Sequence, residues 1–195
     1  MLYDKSDHSL LIVCSSEKSR DMIHALIAAQ SFSSVTDADC GAEARQMMLS
    51  DSFDLVIINT PLSDEYGHEL ALDFAERTGS GVILLTKNEQ YDELSYRVGK
   101  YGVVTLPKPI YRPMFEQSLQ MLSAVRRRLY KMEEENAKLK VKMEEIRRVD
   151  MAKCLLIESL GMTEAEAHRY IEKRAMDTRA AKVEVADSII KTYKT

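Results

Sequence analysis

Residues 54–67 read DLVIINTPLSDEYG. Four apolar residues, 55–58, run without interruption to Asn59, and a proline-containing loop follows. A strand with no polar alternation is covered on both faces, as happens when a parallel sheet is sandwiched between helices. Moving outward, strand-length stretches recur as SLLIVC (9–14), SVTDAD (34–39), GVILLT (81–86) and VVTL (103–106). Between them lie EKSRDMIHALIAAQ, GAEARQMMLS, DEYGHELALDFAERTG and EQYDELSYRVG, which have helical period. The succession predicts an α/β domain: a doubly wound five-stranded parallel sheet. In such sheets the functional crevice lies at the carboxyl ends of the strands. Residues 14–16, 59–61, 86–87 and 107–109 are therefore the ones to interrogate.

Composition sets the frame. A chain of 195 residues that is 45% hydrophobic can bury one sizeable domain and a smaller appendage. No apolar run approaches the ~20 residues of a membrane-spanning helix, and the start MLYDKSDHS lacks a secretion pattern. The expectation is a cytoplasmic protein without a membrane partner. Cys14, Cys40 and Cys154 have no CxxC spacing, and the four histidines have no metal-like spacing, so neither a disulfide frame nor a metal site is expected. Residues 1–118 carry 10 Lys and Arg against 18 Asp and Glu, a balance of −8; residues 119–195 carry 17 against 13, a balance of +4. That gradient gives the two halves separate tasks and makes a polyanion partner conceivable for the second.

From about Leu122 the pattern becomes one long helix, since neither Gly nor Pro occurs between Pro113 and Gly161. With Leu122 at heptad position a, the a and d places hold Leu122, Val125, Leu129, Met132, Asn136, Leu139, Met143 and Ile146. A single Asn at a is a device that fixes register in a parallel two-stranded coiled coil. Across such a dimer Arg128 would face Glu133 and Glu135 would face Lys140, whereas Lys142 against Arg147 repels. A seam this narrow suits one partner helix, so a homodimer is predicted. The competing assignment is a single helix packed on its own domain.

The remainder reads as a small all-α, three-helix unit with breaks at residues 160–161 and 177–178. Thr163 and Glu166 have capping-box spacing, which starts a helix. In the third helix Ala181, Val183, Val185, Ala186, Ile189 and Ile190 keep near-helical period. The expected organisation is an α/β domain over 1–118, a coiled-coil linker over 119–146 and a helical domain over 147–195.

Two resemblances add to this reading. The apolar third strand, Thr86 closing the fourth strand and the Lys108, Pro109 pair after the fifth make residues 8–120 resemble the receiver domain of bacterial response regulators. Receivers phosphorylate an aspartate that ends the third strand, with a divalent cation held by that aspartate and an acidic pair after the first strand. Oxygen ligands of this kind are what a hard cation requires. Here Asn59 stands for the nucleophile, and Cys14, Ser15 and Ser16 stand where the acidic pair belongs. Thr86 and Lys108 remain at positions that would contact a phosphoryl group, and Thr105 replaces the aromatic switch residue. The resemblance implies a pseudo-receiver in which Lys108 serves as a hydrogen-bond donor, with the Asn59 carbonyl as the expected partner. Asp64 and Glu65 read as ordinary loop or helix N-terminal acids.

The stretch AKCLLIESLGMTEAEAHRYIEKRAMDTRAAKVEVADSII, residues 152–190, closely resembles the ANTAR domain, the RNA-binding output module of AmiR and NasR type antitermination regulators. The likeness rests on Ala152, Lys153, Leu156, the Gly161, Thr163 break, Glu166, Ala167, Arg174 to Asp177, Arg179, Ala186 and Ile189. It implies a dimer that stabilises paired stem-loops in a nascent messenger leader so that the terminator hairpin cannot form, with no bond-making chemistry and no cofactor. Such work needs cations for phosphate and donors or stacking groups for unpaired loop bases. The candidates are Lys153, Arg169, Lys173, Arg174, Arg179 and Lys182, with Tyr170 for stacking. Arg179 and Lys182 are expected to share one side, a turn apart at the start of the third helix. Ala167, Ala175 and Met176 are expected to pack between helices. The alternative from another class is a coiled-coil signalling scaffold that binds proteins through the pseudo-receiver and does not touch RNA.

Overall fold

The structure is a computed structural model that describes residues 8–193; the start MLYDKSD, read above for targeting, lies outside them. The chain forms two compact units, one ending at Leu129 and one beginning at Tyr130.

The first unit alternates strands and helices: β1 (Ser9–Val13), α1 (Glu17–Ile27), β2 (Ser34–Ala38), α2 (Gly41–Ser50), β3 (Leu55–Asn59), α3 (His68–Arg77), β4 (Gly81–Lys87), α4 (Tyr91–Gly99) and β5 (Val104–Lys108). A single 3-10 turn, Asn88–Gln90, precedes α4. All neighbouring strands are parallel, in the order β2-β1-β3-β4-β5. Successive side chains of a strand point to opposite faces, and here both directions lead to apolar cover. Val56 and Ile58 join Leu70, Phe74, Leu94 and Val98 on one face; Leu55 and Ile57 join Ile23, Ile27, Phe115 and Leu119 on the other. This is why β3 has no polar alternation.

Two boundaries differ from expectation. Helix α3 begins at His68 rather than near Asp64, because Gly67 takes φ +102° and interrupts the chain before it. Helix α5 (Arg112–Leu160) begins a full ten residues before Leu122. Pro113 is compatible with this start, since its missing amide falls among the first-turn N–H groups that have no helical partner. Phe115, Leu119 and Leu122 then recur at i, i+4 and i+7 and bury themselves against the sheet. Leu122, assigned above to the dimer seam, is 9% exposed and belongs to this core. The Lys108–Pro109 and Thr60–Pro61 peptides are both cis.

In the second unit α5 stops at Leu160, followed by Gly161, whose φ of +64° is left-handed. Helix α6 (Glu164–Thr178) opens on the expected capping box: the Glu166 amide donates to Thr163 Oγ1 (3.3 Å) and the Thr163 amide to Glu166 Oε2 (2.8 Å). Helix α7 (Lys182–Tyr193) completes a core of Ala152, Leu156, Ala167, Ile171, Ala175, Val185, Ala186 and Ile189.

Candidate functional site

At the strand ends the side chains that replace the acidic residues of a receiver are neutral and bond to the protein's own groups. Asn59 is buried and its Nδ2 donates to Cys14 Sγ at 3.2 Å; the Cys14 thiol in turn donates to the Ser16 carbonyl at 3.3 Å. Ser15 Oγ bridges two loops, donating to the Asp39 carbonyl (2.6 Å) and accepting from the Ser63 amide (2.8 Å). Lys108 Nζ donates to the Thr60 carbonyl, one residue beyond the Asn59 partner suggested by the sequence. Burial pushes its ammonium below the ordinary lysine value; Cys14 opposes that fall and Lys87 adds to it. Thr86 is fully buried, and its hydroxyl lies 3.1 Å from the Tyr66 hydroxyl, which also bonds the Gln90 side chain. Tyr66 was not singled out from the sequence. It reaches Thr86 because α3 starts late and leaves residue 66 in the loop.

The nearby acids are committed elsewhere. Asp64 caps the N-terminus of α2 by accepting from the Gly41 (2.9 Å) and Ala42 (2.8 Å) amides, which hold its carboxyl below the usual range. Glu65 pairs with Arg45. Among the described residues no group of three or more His, Cys, Asp or Glu side chains is placed to hold a metal ion.

The seam residues after Leu122 point into solvent. Val125, Leu129, Met132, Leu139, Met143 and Ile146 are between 42% and 61% exposed, and Asn136 is exposed with them. The next a and d places, Asp150 and Lys153, pair with each other at 2.7 Å, so the apolar stripe stops at Ile146.

In the three-helix unit the six candidate cations divide into two sets. Lys153 is largely covered and holds Asp150 and, at 3.6 Å, Glu164; the hydrogen bond to Asp150 raises its pKa. Lys182 pairs with Glu172 at 2.5 Å, and Glu172 also accepts from His168 Nε2 at 3.2 Å. Arg174 donates to the Tyr170 hydroxyl (2.8 Å), with its guanidinium carbon 6.0 Å from the ring centre. Arg169, Lys173 and Arg179 are exposed, and among the described residues none is engaged by a hydrogen bond or ion pair of its side chain. Glu166 is the acid whose charge Arg169 feels.

Two expectations are corrected here. Arg179 is not a turn before Lys182 on α7: it ends α6 at φ +54°, the one non-glycine residue with positive φ among those described. Its amide bonds the Met176 carbonyl and the Ala180 amide bonds the Ala175 carbonyl at 3.0 Å, a Schellman closure. Arg179 and Lys182 nevertheless line one groove, with Glu172, Ala175, Met176 and Ala180. Second, Met176 does not pack between helices. Ala167, Ile171 and Ala175 form the buried face of α6, and one further step of about 100° carries Met176 into solvent, 79% exposed. The exposed side of α6, opposite that face, holds Arg169, Lys173 and Met176 at i, i+4 and i+7.

The chain thus joins a receiver-like α/β unit, through the long helix α5, to a small helical unit whose exposed cations include Arg169, Lys173 and Arg179. Residues 137–190 match the ANTAR domain family. The transcriptional regulatory protein PdtaR of Mycobacterium tuberculosis (strain H37Rv) is 26% identical over 170 residues, which cover 87% of this chain and 83% of that protein. The aliphatic amidase regulator of Pseudomonas aeruginosa is 33% identical over 97 residues, covering 46% and 45%. Among solved structures, the receiver domain of a putative LuxO repressor protein from Vibrio parahaemolyticus has TM-score 0.58 at 19% identity, covering 65% of this chain and 98% of that one. The receiver domain of an HD domain-containing protein from Pseudomonas fluorescens Pf-5 has TM-score 0.57 at 19% identity, covering 67% and 97%. Residues 137–190 thus carry an ANTAR domain, behind an N-terminal unit with the receiver fold, and the relatives that span most of the chain are transcriptional regulatory proteins. None of its described helices is long and apolar enough to cross a membrane.

Proposed function

We propose that this protein is a cytoplasmic, dimeric RNA-binding antiterminator that holds paired stem-loops in messenger leaders and is controlled without phosphorylation of its pseudo-receiver. The observation that carries the reading is the solvent-facing row of Arg169 and Lys173 on α6, continued past the helix end by Arg179, none of them held in an ion pair or side-chain hydrogen bond among the described residues. Cations free of internal partners can displace counterions from phosphates without first breaking an ion pair. Lys153 and Lys182 are second in rank because each must leave a carboxylate, and Arg174 because it leans on Tyr170. The exposed seam from Val125 to Ile146 supports a parallel coiled coil, which would bring two helical units to two loops.

Regulation through phosphate is disfavoured by chemistry. An amide at Asn59 does not accept a phosphoryl group, and Cys14, Ser15 and Ser16 offer no carboxylate to a hard cation. A partner protein that binds the pseudo-receiver, or simple abundance, supplies the control.

The test is selection of RNA hairpins with randomised loops by the full chain and by an Arg169→Ala, Lys173→Ala, Arg179→Ala variant. Enrichment of paired stem-loops by the first and not the second is the expected result; equal enrichment by both would remove the α6 face from the function. In parallel, a phosphate adduct detected by mass spectrometry after incubation with a small-molecule phosphodonor would overturn the account of control.

A further inference from the structure

Met176 sits in the last turn of α6 with 79% of its surface exposed, on the side of the helix that carries Arg169 and Lys173. Its carbonyl accepts from the Arg179 amide, so the side chain stands beside the residue that turns the chain out of the helix. The buried face of α6 is complete without it, since Ala167, Ile171 and Ala175 already fill the contact with the unit's core. We propose that Met176 is the surface on which an unpaired RNA base packs, while the flanking cations hold the sugar–phosphate backbone; this rests on the RNA-binding reading given above.

The choice of occupant follows from size and charge. A partner helix would need apolar anchors at i, i+3 or i+4, and i+7, but Met176 shares its face with Arg169, Lys173 and Glu172. One flexible apolar side chain matches one base. A base in a duplex has no free face, whereas a loop base can be splayed out and packed on an apolar or aromatic group. Methionine suits this role because its polarizable sulfur makes favourable contacts with aromatic rings. The charge around it is the charge such a ligand requires. Glu172, the acid of the same groove, is held between His168 and Lys182.

The experiment measures binding of the full-length chain to two RNA hairpin pools, one with randomised loops and one with the same backbone but abasic loops. Met176→Ala and Met176→Gln are compared with wild type, with Met176→Leu as the conservative rescue and Arg179→Ala as the phosphate control. The inference requires that wild type prefer base-bearing loops, and that the Ala and Gln variants lose on the order of tenfold on them. Those variants should bind the abasic pool as wild type does and keep its salt dependence, while Leu retains most of the affinity. Because the side chain is exposed, their melting curves should overlay that of wild type. If Met176→Ala binds base-bearing loops as tightly as wild type while Arg179→Ala is weakened, the inference falls and the RNA reading stands. If wild type itself retains neither pool, the RNA reading falls and takes the inference with it.

Discussion

Replacing Arg179 with glycine should strengthen the fold and weaken the function. At φ +54° and ψ +32° Arg179 occupies the left-handed region, which costs a residue with a Cβ about 1–2 kcal/mol. Glycine removes that strain, but it loses more backbone entropy on folding, an offset of about 0.5–1 kcal/mol. The net gain is about 0.5–1 kcal/mol for the three-helix unit. Arg179→Ala keeps the strain and, at an exposed position, should change stability by less than about 0.5 kcal/mol. The assay is native-state hydrogen exchange of the α6 amides that open with this unit. A gain of 0.5–1 kcal/mol slows their exchange roughly two- to fivefold, because RT is about 0.6 kcal/mol. The same two variants should lose RNA affinity together, with the slope of log affinity against log salt falling by about 1 for each phosphate contact removed. Exchange that is unchanged or faster in Arg179→Gly would refute the account of strain. RNA affinity that survives both substitutions would remove Arg179 from the RNA contact.

Three further outcomes are expected. Phe115→Ala, at a fully buried site between α5 and the sheet, should destabilise the α/β domain by about 3–5 kcal/mol in urea titrations. Leu139→Glu places a charge at the middle of the exposed stripe and should shift sedimentation from dimer to monomer while leaving helix content unchanged. Asp54 gives a pH dependence: burial pushes its carboxyl up, but the Ser9 amide (3.0 Å), Arg126 (3.1 Å), the Ser9 hydroxyl and His8 outweigh burial and hold it below the ordinary value. Its contribution is therefore full above the unfolded value of about 3.9 and is lost as the pH falls through the lower folded one. Asp54→Asn should flatten that part of the acid limb, and urea midpoints that keep the wild-type pH profile would count against the cluster.

The parts of the fold that sequence disclosed were those where one physical cause dominates. Strand β3 is apolar at every step because Leu55 and Ile57 meet one layer of helices and Val56 and Ile58 the other, so its composition reports the sheet's burial directly. The start of α5 was concealed because an Arg-Pro pair reads as a break, although a proline in the first turn forfeits no helical hydrogen bond. Leu122 was ambiguous for a related reason. Over two turns a period of 3.5 and a period of 3.6 diverge by only about 20° per heptad, so the same leucine fits a seam between chains or the face packed on the sheet. Its position against Gly81 and Leu119 decides for the sheet.

At the candidate interface the cations themselves were legible, but their availability was not. Lys182 is neutralised by Glu172, ten residues earlier, and Lys153 by Glu164 on the next helix as well as by Asp150 on its own. These partners are brought together by the turns at Gly161 and Arg179, and the second of those turns has no glycine to announce it. A charge count over residues 147–195 weights all the basic side chains alike. Among the six candidate cations, those left without an ion pair or side-chain hydrogen bond once the turns are in place are Arg169, Lys173 and Arg179, and Met176 comes to stand among them. The face that can meet a polyanion is thus selected by where the acids fold, and removing an acid should extend it. Glu172→Gln, which releases Lys182 into the groove shared with Arg179, should therefore raise RNA affinity rather than lower it, and a loss of affinity would mean that Glu172 positions Lys182 for contact instead of withholding it.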